Sequence, residues 1–391
     1  MKNKISRKKF LENISLMGTV AALTPFSLQA ATVYRQEKKI KVGVIGCGSV
    51  STQYLPHLSR SPHVELVSAC DIKPDRAKSQ AEKYGIPFHY DHIDKMLAGE
   101  PFDLFVNLTN MQEHYHLNKQ AIQSGKHVWS EKPLANTYKQ GAELLRLSKA
   151  QGVRLWGAPA VVNSPQFAFM SKAVQEGKLG KIAAAHGHYG HEGPNWSAFF
   201  FEELGGSMPD LAVYNLATLS GLLGPVKSVT AMLNIITPSR TTDDKGPIKV
   251  EAEDNAMILM EHENGALSHV QSGFNYFDPY GHEGKGQERP TISLWGTEGN
   301  MHLIGYDWAP SGVDMATKND PKTQRHVEDP GTYVWQEGAS VIAECLATGK
   351  EPLINVEHSL HVLEIIEAAR KSQKSGKRIA LESRFTWPII K

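Results

Sequence analysis

Apolar residues follow two rhythms along this chain. In the first half, short runs at 42–45, 64–69, 104–108, 127–129 and 153–156 are apolar almost throughout. Runs of that kind are strands buried on both faces. Helix-compatible stretches separate them. One opens at Pro74 and closes near Gly85, one spans 112–124 before Gly125, and one spans 138–151 with Thr137 as its cap. Strands alternating with helices predict a parallel sheet covered on both sides. Beyond Pro159 the rhythm changes. Residues 181–189, 226–235, 255–263, 266–274, 292–295 and 301–304 read as successive strands, with Asn264-Gly265 a strong hairpin turn and 296–300 a second. Succession with tight turns predicts antiparallel pairing. A helix is expected over 209–223, from Pro209 to Gly224-Pro225, and another over 356–373, whose His358 and His361 read as surface residues. The polar, Gly/Pro-rich stretches 281–290 and 309–330 read as loops.

The turn after the first strand adds chemistry. Residues 42–45 end in Gly46-Cys47-Gly48, a helix pattern follows, and the second strand ends in Asp71. This is the dinucleotide fingerprint in its βαβ setting. Gly46 permits the tight turn, and Gly48 lets the backbone approach a pyrophosphate. Ser49 and Val50 open a helix whose free N–H groups favour that anion. Ser51 takes the third glycine position. Asp71 can accept hydrogen bonds from the adenosine ribose and repels a 2′-phosphate, so NAD is expected rather than NADP; Lys73 softens that preference. The fold class is therefore α/β plus α+β: a Rossmann domain over 39–159, then an open, mainly antiparallel sheet domain over 160–384.

Composition alters the picture at the N-terminus. The chain has 391 residues, 42 Lys+Arg, 41 Asp+Glu and 41% hydrophobic residues, an ordinary globular balance with net charge +1. No basic excess points to nucleic acid. Five basic residues (Lys2, Lys4, Arg7, Lys8, Lys9) against Glu12 place an excess of +4 in the first 12 residues, and 13–30 hold no charge. Subtracting that +4 from the overall +1 leaves −3 for the remainder. A basic start, the uncharged run 14–22 and small residues at Ala30 and Ala31 read as a signal peptide over 1–31. Ser6-Arg7-Lys8-Lys9-Phe10-Leu11 resembles the twin-arginine export motif, with Lys8 at the second arginine. A periplasmic or otherwise exported protein is expected, or a cytoplasmic one if these residues are only an arm. No later stretch is long and apolar enough for a membrane span. Cys47, Cys70 and Cys345 read as packing residues.

The segment Gly125-Lys126-His127-Val128-Trp129-Ser130-Glu131-Lys132-Pro133-Leu134 resembles the G-K-H-V-x-x-E-K-P-L signature of the glucose–fructose oxidoreductase/inositol dehydrogenase (Gfo/Idh/MocA) family. Thr109 and His114 match its T-P-N-x-x-H segment, with Asn110 and Met111 in place of Pro and Asn. The resemblance implies that Thr109, Asn110, His114, Glu131 and Lys132 help to bind the cofactor. Gly205-Gly206-Ser207-Met208-Pro209-Asp210-Leu211-Ala212-Val213-Tyr214 resembles the family's G-G-x-x-x-D-x-G-x-H motif, with Tyr214 at the histidine position. Tyrosine there resembles the branch containing glucose–fructose oxidoreductase and the dihydrodiol and xylose dehydrogenases.

The chemistry needs an acceptor for a hydroxyl proton, because a carbinol carbon gives up hydride only as that proton leaves. Lys132, Asp210 and Tyr214 are the catalytic candidates. Tyr214 is expected as acid/base, its phenol lowered by the Lys132 ammonium, which also holds the substrate hydroxyl. The sequence leaves the division of that role between Tyr214 and Lys132 open, and Asp210 is expected to orient the substrate or Lys132. Asp210 and Tyr214 fall at i and i+4 of the expected helix. His188, Asn195 and Trp196 are candidates for the substrate cleft. His186 and His188 share a strand face, but no Cys or Glu completes a zinc set, and no metal is expected. The resulting reading is an NAD(P)-dependent oxidoreductase acting on a sugar, cyclitol or sugar-derivative hydroxyl, with tightly bound cofactor. The alternatives are a glycoside-cleaving enzyme using transient ring oxidation, or a non-catalytic sugar or nucleotide binder. A homo-oligomer is expected, since the open sheet needs a cover.

Overall fold

The computed structural model describes residues 39–277, 279, 288–328 and 333–391. The leader expected over 1–31, and parts of the stretches 281–290 and 309–330, lie outside the described residues.

The first half forms β1 (Ile40–Ile45), β2 (Val64–Cys70), β3 (Phe88–Tyr90), β4 (Leu104–Asn107), β5 (His127–Ser130) and β6 (Leu155–Gly157). They lie in the order β3-β2-β1-β4-β5-β6, every neighbouring pair parallel. The connecting helices are α1 (Ser51–Arg60), α2 (Pro74–Tyr84), α3 (Ile93–Ala98), α4 (His114–Gln123) and α5 (Tyr138–Ala150). Their ends follow local chemistry. Pro74 opens α2 and Gly85 closes it in the left-handed region, while Thr137 accepts a hydrogen bond from the Gln140 N–H at the start of α5. Strand order reverses between β1 and β4, so a crevice opens at the carboxyl ends of those strands, where ligands bind in such sheets.

After β6 come α6 (Pro165–Gln175), β7 (Ile182–Gly190), α7 (Val213–Leu223) and β8 (Val226–Asn234). A small ribbon, β9 (Ser239–Thr242) with β10 (Gly246–Lys249), precedes β11 (Asn255–His262) and β12 (Leu267–Gly273). Then follow β13 (Pro290–Gly296), β14 (Gly299–Tyr306), β15 (Ala309–Thr317), β16 (Asp320–His326), α8 (Gly338–Thr348), α9 (Val356–Ser375) and β17 (Ile379–Ala380). The second sheet has the order β16-β15-β14-β13-β7-β12-β11-β8-β17. All its pairs are antiparallel except β12 with β7, which the strand succession does not predict. Every residue of α7 is buried, and this helix forms the core between the sheet and α9.

Two further readings are corrected. Residues 309–330 are largely not loop: β15 pairs with β14 on one side and β16 on the other. Proline, glycine and charge disguise them, and the almost wholly exposed β16, rich in polar residues, is the kind of edge that resists further pairing. His358 and His361 are buried, because α9 is covered on both flanks by α7 and β8. His361 Nε2 accepts the Val226 N–H (2.8 Å), so Nδ1 carries the proton toward Ser383 Oγ (2.8 Å). The chain also returns to the first domain, since α8 packs on α1, β1 and β2.

Candidate active site

The cofactor cradle is built from the β1–α1 turn. Gly46 has φ +87°, and a Cβ there would stand 2.5 Å from the Leu108 carbonyl carbon, so only glycine fits. Gly48 has open space, with Arg76 Nη1 the nearest group at 3.5 Å. Ser49 is exposed and Val50 half-buried. Ser51 is buried, its hydroxyl donating to the Gly48 carbonyl (2.6 Å), which fits a small residue at the third glycine position. The two carboxylate oxygens of Asp71 each accept one backbone N–H, from Cys47 and from Lys73, both at 2.8 Å. This holds Asp71 against the glycine turn. A bare turn at a helix start with a carboxylate at the next strand end fits a dinucleotide. Arg76, beside Gly48, is a neighbour the sequence reading did not single out.

At the end of β4, Thr109 donates through both N–H (3.2 Å) and Oγ1 (2.7 Å) to Asn107 Oδ1, and Asn110 is exposed. His114 is 1% exposed. Its ring nitrogens sit 2.7 Å from the Pro133 carbonyl and 3.0 Å from the Thr109 carbonyl. Burial pushes its pKa down. His114 therefore ties the Thr109 turn to the Lys132–Pro133 segment, and its ring has no free face for a cofactor. That corrects its expected role as a direct contact.

Glu131 and Lys132 leave the end of β5. Glu131 is buried; Oε1 accepts the Tyr54 hydroxyl (2.6 Å) and Oε2 the Lys132 N–H (3.0 Å). Lys132 Nζ donates to Asp210 Oδ1 (2.6 Å) and to the Asp210 carbonyl (2.9 Å). Asp210 lies in a π-helical turn, Met208–Ala212, that feeds α7, so Asp210 and Tyr214 are not the simple i, i+4 pair expected. Such turns recur at functional sites. Gly206 (φ +109°) makes room for Glu253, whose Oε1 accepts the Met208 N–H (3.1 Å), and Arg370 holds the Gly205 carbonyl (3.0 Å).

The structure thus brings Lys132, Asp210 and Tyr214 together, with one correction. Nζ lies over the Tyr214 ring, 5.3 Å from its centroid. Burial first, with Glu131, Tyr189 and Asp210 adding to it, pushes the Tyr214 phenol well above its usual 10. That direction is the opposite of the lowering by Lys132 that was expected.

The cleft candidates fare differently. Gly187 packs under Asn215 of α7, so alternation along β7 turns Tyr189 toward the site and His188 to the opposite face, stacked with Tyr276 (6.0 Å). Trp196 is exposed and packs edge-on against Phe199 and Phe200. Asn195 is exposed too, its carbonyl accepting the Asp243 N–H. None of these three joins the Lys132 cluster. The missed residues are aromatic. Tyr189 lies 6.1 Å from Tyr214, and Trp335 meets Tyr54 (6.1 Å) and Tyr214 (6.4 Å) edge-on. Strand alternation was the signal available for Tyr189; Tyr54 and Trp335 carry none. Among the described residues no group of three or more His, Cys, Asp and Glu is placed to hold a metal.

A Rossmann sheet with a lysine–carboxylate pair where its crevice meets a second domain defines the class as a nicotinamide-dependent oxidoreductase. The NAD-binding Rossmann fold of the GFO/IDH/MocA oxidoreductases matches residues 40–158, and the C-terminal domain of the same family matches 167–302. The chain belongs to this family of NAD-binding oxidoreductases. It is 28% identical to D-glucoside 3-dehydrogenase of Escherichia coli over 88% of this chain and 97% of that protein. It is 25% identical to scyllo-inositol 2-dehydrogenase (NADP(+)) of Bacillus subtilis, over 89% and 98%. A solved levoglucosan dehydrogenase, in complex with NADH, shares the fold with TM-score 0.76 and 18% identity, over 88% of this chain and all (100%) of that one.

Proposed function

We propose that this protein oxidises a ring hydroxyl of a sugar, cyclitol or sugar derivative, passing hydride to a tightly held NAD. The observation that carries the reading is the Lys132–Asp210 pair, 2.6 Å apart, with Tyr214 beneath the ammonium. Bound NAD supplies the hydride acceptor. Gly46, Gly48, Ser49, Val50 and Asp71 would hold its adenosine and pyrophosphate, and Thr109, Asn110, Glu131 and Lys132 its nicotinamide side. Lys132 has three N–H groups and spends two on Asp210. The third is available to a substrate oxygen. To accept the alcohol proton, Nζ first gives a proton to the Asp210 carboxylate and turns the freed lone pair to the hydroxyl; the alcohol proton then restores the ammonium, and Asp210 is the net acceptor. Tyr214, kept neutral, offers its hydroxyl to the same oxygen. The glucoside, inositol and levoglucosan dehydrogenases among the similar proteins support a carbohydrate substrate.

The leader-like residues 1–31 support export, by a twin-arginine-like route, to the periplasm. An exported enzyme lacks a cytoplasmic supply of cofactor, which favours a nicotinamide that stays bound and is recycled by a second substrate. The outer face of the second sheet favours a homo-oligomer: Met232 (78% exposed), Met257, Leu259 (57%), Leu267 and Trp295 all lie on it. The test is a panel of sugars and glycosides added to the purified protein after extensive dialysis. Reduction of retained nicotinamide by a sugar is expected. Release of an aglycone with no net redox change would favour glycoside cleavage, and retained cofactor with no turnover would favour a binder.

A further inference from the structure

We infer that Asp307 is a positioning residue of this active site, the clamp that fixes the Tyr189 ring beside Tyr214 and Asp210. The inference rests on the oxidoreductase reading above. Asp307 sits in the turn between β14 and β15 and is 2% exposed. Its Oδ2 accepts from two side chains of α7, Asn215 Nδ2 (3.0 Å) and Thr218 Oγ1 (2.9 Å). Asn215 follows Tyr214 directly, so the clamp grips the helix that carries the candidate phenol.

The residues flanking Asp307 are the ones that touch Tyr189. Tyr306 and Trp308 stack on each other (5.3 Å, 10° between planes). The Tyr189 ring lies 4.5 Å from Tyr306 and 6.4 Å from Trp308. Tyr214, at 6.1 Å, and His191, at 6.0 Å, are further ring neighbours. Tyr189 is therefore wedged between the turn that Asp307 anchors and the helix to which it is anchored. Both Asp210 and Asp307 are near enough for their charges to raise the Tyr189 phenol, after burial, the larger cause.

The oxygen that the clamp needs belongs here to a buried acid. Asp307 is buried, and burial pushes its carboxyl up to about 6 although Thr218, Asn215 and the backbone N–H groups of Asp307 and Trp308 favour the charged form. Holding a carboxylate in the interior costs the fold its solvation. An amide would meet the same two side-chain donors without that charge.

Asp307→Ala removes the clamp, and Asp307→Asn keeps an oxygen for Asn215 and Thr218. Two readouts separate this inference from the reading beneath it. The first needs no turnover: the near-ultraviolet circular dichroism of the Tyr189–Tyr306–Trp308 stack should be lost in Asp307→Ala and retained in Asp307→Asn. The second is kinetic: with a sugar that reduces the bound nicotinamide, kcat should fall about 100-fold in Asp307→Ala, the scale set by a misplacement of about 1 Å, and recover in Asp307→Asn. NAD affinity, measured by titration, should not change in either. A retained dichroic signal in Asp307→Ala overturns the inference whether or not any sugar is turned over. So does a parallel loss of NAD affinity and melting temperature, which marks a residue that merely holds the fold, and so does failure of Asp307→Asn to recover. If no sugar reduces the cofactor in the wild type, the oxidoreductase reading fails, and the dichroic result still decides the clamp.

Discussion

Single residues decide the proton chemistry. Tyr214 looks like a base when a lysine is known only to be its neighbour, because an ammonium at the hydroxyl would favour tyrosinate. In the folded site Nζ lies over the ring, and the groups that raise the phenol include Glu131 and Asp210. Direction and distance, rather than residue type, reverse the expectation. Tyr214→Phe should accordingly lower kcat about 10- to 100-fold while leaving the shape of the kcat–pH profile unchanged, since the phenol is not the group that titrates. A limb of the profile that vanishes in this variant would show tyrosinate chemistry after all. Asp71 makes a second prediction. With both oxygens holding backbone N–H groups beside the glycine turn, Asp71→Ala should loosen the turn and remove the repulsion of a 2′-phosphate. The ratio of NADP to NAD affinity should rise about tenfold, read by titration of each cofactor.

Elements were legible where a pattern is local. The parallel strands, the glycine turn and the caps at Pro74, Gly85 and Thr137 follow from apolar runs and end signals. The β15–β16 hairpin was not legible, because its polar exposed residues belong to a sheet edge formed only by long-range pairing with β14. The face of α9 was misread for a related reason. Histidines at 358 and 361 look polar, yet each has partners supplied by distant segments, Ser220, Val226 and Ser383. Burial drives His262 and His358 down to about 4 and His361 to about 3, from an ordinary 6.5. An unfolded chain takes up these protons as pH falls below 6.5, and the native one does not. The stability they contribute is therefore complete above that value and is lost progressively as pH drops toward 4. Thermal melting should show a falling Tm across that window, and a shallower fall in His361→Gln. A Tm independent of pH there would mean that the histidines are solvated.

At the scale of the whole molecule, the site is composite. The first domain supplies the cofactor turn, Glu131 and Lys132; the second supplies Asp210, Tyr214 and the aromatic residues around them. Motif spacing named the first set and the Asp210–Tyr214 pair. It did not name Tyr54, Tyr189 or Trp335, because three separate segments converge there only after the sheets have packed. The same assembly leaves Met257 and Leu259 facing outward on the second sheet. If a second copy covers them, Leu259→Glu should shift the protein to monomers in light scattering; an unchanged mass would remove that face from the interface. The central claim is narrower, that Lys132 takes the proton from a sugar hydroxyl as hydride leaves its carbon. Single-turnover reduction of the bound nicotinamide, followed by its absorbance after mixing with a turned-over sugar, tests it most directly. The account predicts reduction in the wild type and a rate about 1,000-fold lower in Lys132→Met with cofactor still bound. Reduction at an undiminished rate in that variant would contradict it.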